Sequence, residues 1–128
     1  MTTEYSLDDI RSHFTGPRDP VEIKMYQKYA EQGDPEAQYY LALCYIDGDG
    51  LSKDINEAVR YYKLAAEKGL MQAQFSLAIC YRNGSGVPKD MSEMLRLFAA
   101  AASQGHGAAQ YALAFHYRSF SIIIIILI

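Results

Sequence analysis

The 128-residue sequence matches itself when displaced by 36 positions. This internal period constrains the fold before any local propensity is weighed. Gly33, Gly69 and Gly105 fall in register, followed by Ala37/Ala73/Ala109, Gln38/Gln74/Gln110, Leu41/Leu77/Leu113 and Tyr45/Tyr81/Tyr117. The two complete copies also share Cys44/Cys80, Gly48/Gly84, Gly50/Gly86, Asp54/Asp90 and Glu57/Glu93. A unit this short buries no core of its own, so the period predicts a stack in which each copy rests on its neighbours.

Within a copy, Ala37, Leu41, Cys44 and Tyr45 recur at helical spacing, which predicts a helix from about Pro35 to Ile46. The glycines of "DGDG" (47–50) and "NGSG" (83–86) end the first helices, because Gly adopts the positive φ that reverses a chain. Asp54 and Asp90 then open second helices as caps, with Glu57 and Glu93 placed to reach back and complete a capping box. The expected buried stripe is Ile55, Ala58, Tyr61, Tyr62, Ala65 and Ala66, with Asn56, Arg60, Lys63 and Glu67 facing water.

The expected organisation follows from that register. Residues 1–18 form an N-terminal cap with a short helix over Ser6–Phe14, and 19–32 form a half repeat, a second helix alone capped by Asp19. Repeat 1 spans 33–68 and repeat 2 spans 69–104. A truncated repeat 3 (105–119) supplies one first helix, and 120–128 is an isoleucine-rich tail. The expected class is all-α, a right-handed α-α superhelix or solenoid.

These residues resemble the Sel-1-like repeat family, relatives of the tetratricopeptide repeat. The resemblance rests on "GDPEAQYYLALCYIDGDGLSKD" and "GLMQAQFSLAICYRNGSGVPKD" with the late Ala-Ala pairs, and covers roughly 19–119. Ala42 and Ala78 stand where the family usually has Gly, and Tyr61 and Leu97 replace its customary Trp. Cysteine-rich members from secreted bacterial proteins staple each repeat with a close Cys pair. That pair is absent here, so the comparison favours a reducing compartment.

Composition narrows the function classes. A net charge of −3 offers no basic field for phosphate backbones, so nucleic acid is not an expected partner. "MTTEYSLDDI" lacks the charged and apolar regions of a secretion signal, and the expected setting is cytoplasmic. If "DGDGLSKDINEA" were a calcium loop with Gly50 at position six, Tyr45 and Asn56 would occupy its first and twelfth positions, which do not supply the charge. Cys44, Cys80 and His116 occupy one slot of successive repeats, but equivalent slots on stacked helices do not converge as metal ligands must. They read as buried thiols and a packed His; His13 and His106 read as exposed or capping residues. Some family members have been linked to beta-lactam binding or hydrolysis, yet no nucleophile with a base stands at supportive spacing here. The expectation is therefore no enzyme, no cofactor and no metal.

The expected site is the concave groove along the first helices. Its three rows are Tyr39, Leu43 and Ile46, then Phe75, Ile79 and Arg82, then Tyr111, Phe115 and Arg118. Aromatic and Arg side chains supply hot spots, so the groove suits a protein or peptide partner, an acidic or carboxylate-bearing segment in particular. Two other readings stay open: Tyr39, Phe75 and Tyr111 pack between repeats, or the chain is a truncated repeat protein without independent activity. A hydrolase or beta-lactam-binding role is a third and weaker reading.

Seven aliphatic residues follow Ser121. A spanning helix needs about 20 apolar residues, so this run is too short to cross a bilayer. Phe120 and Ile122 stand where Gly84 and Gly86 make the turn in repeat 2. The tail is expected either to extend the third first helix or to fold back over it as a cap; self-association through an uninterrupted β-branched segment is the competing reading.

Overall fold

The computed structural model describes residues 19–127, with 119–123 described in their backbone alone. Six helices follow one another: α1 (Pro20–Glu31), α2 (Pro35–Asp47), α3 (Ile55–Glu67), α4 (Met71–Asn83), α5 (Met91–Ser103) and α6 (Gly107–Leu127). Each packs on the next, giving an all-helical solenoid in which α2/α3 and α4/α5 are complete units. The helix expected over Ser6–Phe14 lies outside the described residues, as does His13.

The helix starts are set by acidic caps. The Asp34 carboxylate accepts from the Glu36 and Ala37 amides at 2.9 and 3.2 Å, with Pro35 in the first turn. Asp54 and Asp90 accept from the Glu57 and Glu93 amides at 3.2 and 3.1 Å. The expected return arm of the box is not formed, because Glu57 and Glu93 turn forward onto Arg60 and Arg96 at 2.8 and 2.7 Å. A charge-assisted pair three residues on the helix competes successfully with a single amide. In the slot of Asp34, Leu70 caps α4 with no side-chain bond, and His106 Nδ1 accepts from the Ala109 amide at 3.2 Å.

First helices end at left-handed glycines, Gly48 (φ 66°) and Gly84 (φ 71°). The chain then returns, and the Asp54 and Asp90 amides donate to the Tyr45 and Tyr81 carbonyls at 3.0 and 3.1 Å, tying the second helix to the first. The core between them is built on small residues: Ala42, Ala58, Ala65, Ala73, Ala78 and Ala101 have no exposed surface. Close helix approach follows from their size, and Leu41, Tyr62, Leu77, Met94 and Phe98 fill the wider gaps.

The buried stripe of α3 differs from expectation at three positions. Val59 is buried, whereas Ile55 lies at the surface and Tyr61 is half-buried. The second helix touches both its own first helix and that of the next unit, so its apolar stripe is wider than one ridge and shifted toward the next unit.

A buried amide ladder joins the units. In the second unit, Gln74 donates to the Ala66 carbonyl at 3.4 Å and accepts from Gln104 at 2.9 Å; Gln104 also donates to the Gly69 carbonyl at 2.8 Å. In the first, Gln38 donates to the Ala30 carbonyl at 3.2 Å, and Lys68 replaces Gln104, its ammonium donating to the Gly33 carbonyl. Gln38 Oε1 is buried without a hydrogen-bond partner among the described residues.

Past Tyr117 the third unit departs from the other two. α6 remains helical through positions 120–122, where the earlier units turn, and extends to Leu127. The tail therefore prolongs the helix and does not fold back. Ile124–Leu127 are exposed and cover no core.

Two predictions follow from this packing. Gly86 (φ 71°) brings the loop after α4 against α3, and a Cβ there would lie 2.7 Å from Val59 and 2.9 Å from Ile55. Gly105 (φ 92°) has nothing within 4 Å of such a Cβ. Both G86A and G105A pay for backbone strain, but G86A adds overpacking and is expected to cost about 1–3 kcal/mol more in denaturant unfolding; equal losses would show that the loop does not bear on α3. Lys68→Gln is expected to stabilise by about 0.5–1.5 kcal/mol by giving Gln38 Oε1 a donor. A lower unfolding midpoint would show that the ladder is not completed.

Candidate protein-interaction surface

The first helices α2, α4 and α6 carry the three predicted rows, and the structure treats the rows differently. Tyr39 is half-buried, its ring centroid 6.0 Å from Tyr62 and 5.6 Å from Tyr40. Phe75 is half-buried 5.6 Å from Phe98 and 4.6 Å from His106. Leu43, Ile46 and Ile79 are likewise half-buried against the core. Arg82 is exposed, with Nε donating to Asn83 Oδ1 at 3.3 Å.

The third row stands open. Tyr111 is 75% exposed and Phe115 59%, and Arg118 is exposed. The cause is the departure described above. Tyr39 and Phe75 are partly covered by Tyr62 and Phe98, which belong to the second helix of their own unit. Among the described residues, α6 has no second helix over it.

Several groups bordering these rows carry no motif signal in the sequence. Tyr62 faces Ser76 across the junction of the units, and burial pushes its phenol well above the usual range. Tyr40 stacks on Tyr26 of α1 at 5.5 Å, extending the aromatic packing toward the start of the stack. Their partners lie about one repeat away or less, and only the assembled register brings them together. A cleft opens elsewhere, where Lys63 and Glu67 of α3, Gln74 and Tyr81 of α4, and Glu93 and Arg96 of α5 meet. It contains none of the nine candidate groove residues.

The cysteines are chemically quiet. Cys44 and Cys80 are buried and not disulfide-bonded, and burial raises the Cys80 thiol, which disfavours the reactive thiolate. His116 is half-buried, its ring 6.4 Å from Phe98 and edge-on to Phe115 at 5.7 Å. Among the described residues no three His, Cys, Asp or Glu side chains gather in a way that could hold a metal. Nor is any helix among them long and apolar enough to cross a membrane.

Comparison with known proteins agrees with this geometry. The structure is similar to a protective antigen present in uropathogenic Escherichia coli strains, which displays an SLR fold (TM-score 0.74, 33% identity, 77% of this chain and 21% of that one). It is similar also to a Sel1 repeat protein from Oxalobacter formigenes (TM-score 0.74, 37% identity, 77% and 41%). Cysteine-rich protein B of Helicobacter pylori shares the fold at 22% identity (TM-score 0.71, 75% and 73%). The match thus spans about a fifth of the length of the first and about two fifths of the second. No curated protein matches it. The Sel1 repeat model matches residues 35–70 and 72–106, more than half of the sequence, and the chain belongs to the Sel1 repeat family.

Proposed function

We propose that this chain is a non-catalytic protein-interaction module that holds an acidic peptide or helix along its first helices, in a cytoplasmic setting. The observation that carries this reading is the register of Arg82 and Arg118. Both are exposed and one repeat apart in the same slot, and Arg118 shares α6 with the open rings of Tyr111 and Phe115. Two guanidinium groups one repeat apart on successive first helices suit separate carboxylates of one extended segment. Aromatic anchors next to Arg are the composition in which binding energy concentrates.

A second reading, a repeat scaffold without independent activity, draws on the packing of Tyr39 and Phe75. Their rings are occupied within the units and leave less surface for a partner than the sequence suggests.

An array of acidic and aromatic-acidic peptides, probed with the intact chain, separates the two. Arg82→Ala and Tyr111→Ala are expected each to weaken the selected peptide about tenfold or more while the melting temperature stays unchanged. Phe75→Ala is expected to cost about 3–5 kcal/mol of stability. No selective peptide, or affinity indifferent to Arg82 and Tyr111, would favour the scaffold reading.

A further inference from the structure

We propose that copies of this chain associate head to tail, α1 of one copy lying on the open face of α6 of the next. In each complete unit a second helix covers a first helix, α3 over α2 and α5 over α4. The positions buried by that contact recur at both ends of the stack but are left open. Ala42 and Ala78 have no exposed surface, while their equivalent on α6, Ala114, is exposed. Gln38 and Gln74 are buried, while Gln110 is exposed. Tyr45 and Tyr81 are half-buried, while Tyr117 is 57% exposed. Because α6 stays helical through the turn positions, a second helix cannot return over it by the short turn the other units use.

The complementary half is α1. In the register that aligns Gly33 with Gly69, its buried Ile23, Tyr26 and Ala30 correspond to Val59, Tyr62 and Ala66 and face α2, the next unit. Glu22, Met25 and Tyr29 correspond to Ala58, Tyr61 and Ala65, the side that in α3 meets its own first helix. Ala58 and Ala65 have no exposed surface, but Glu22, Met25 and Tyr29 keep part of theirs, and Val21 is 52% exposed. A second-type helix with its inner side open and a first-type helix with its cover missing are the two halves of one unit.

Charge fits the same arrangement. Arg118 is the one Lys or Arg of α6, which has no acidic residue. Antiparallel packing of the kind seen within each unit brings the first turn of the incoming helix, with Asp19 and Glu22, toward the Arg118 end of α6. An α6-on-α6 pair would oppose two arginines with no carboxylate between them. The α1 contact is about 18 Å long, which places it at the small end of specific interfaces and makes association concentration-dependent. A heterologous contact of this kind does not close, so the product is a ladder of oligomers.

Sedimentation velocity of the full chain across a broad concentration range tests this. The unmodified chain is expected to form the ladder. Arg118→Glu and Glu22→Arg, each alone, are expected to weaken it about tenfold or more by setting like charges against each other, and an equimolar mixture of the two variants is expected to restore it. Unchanged melting confirms that the two substitutions leave the fold intact. The proposal is overturned by a monomer at all concentrations, as when residues 1–18 occupy the α1 face. It is equally overturned by association that survives either single variant, as pairing through Ile124–Leu127 or α6 on α6 would, or by a mixture that does not recover.

Discussion

Everything in this structure depends on the contact of a second helix with the first helix of its own unit and that of the next. A helix of 13 residues is marginal in isolation, and here its apolar side is completed only by neighbours. The contact is close because its central positions are alanines without exposed surface, Ala42, Ala58 and Ala65 in one unit and Ala78 and Ala101 in the next. The tyrosine and phenylalanine rings are placed by that closeness: Tyr39 meets Tyr62, Tyr45 meets Tyr61 at 6.1 Å, and Phe75 meets Phe98.

From this contact follows the distribution of exposed surface. Where the second helix is present, first-helix aromatics are half-covered and serve the core. On α6, where none lies among the described residues, Tyr111 and Tyr117 open to solvent and apolar surface accumulates. The same departure, a first helix that continues through the turn positions, opens this surface among the described residues. Candidate partner binding and candidate self-association both draw on α6, the former through Tyr111 and Arg118 and the latter through Ala114, Tyr117 and Arg118. The shared Arg118 makes the two uses mutually dependent.

Much of the fold was legible in the sequence because repetition tests each assignment against a second copy. The glycine turns, the Asp54 and Asp90 caps and the boundaries of α2 follow from residues whose local chemistry allows few alternatives. The forward turn of Glu57 onto Arg60 was not legible, since a capping box and an i,i+3 pair use the same carboxylate. Nor was the burial of Val59 in place of Ile55, because it depends on contact with a third helix. The candidate groove was partly legible. Spacing placed Tyr39, Phe75 and Tyr111 at one position of successive first helices, but their different exposure depends on whether a second helix covers each, which no single residue encodes.

Native-state hydrogen exchange resolved by residue tests most directly the claim that neighbouring units supply the stability. Amides in α3 and α4, covered on both sides, are expected to be the most protected, those of α1 and the first turns of α6 less so, and Ile124–Leu127 least. Equal protection in all six helices, or an α6 as protected as α4, would contradict the account.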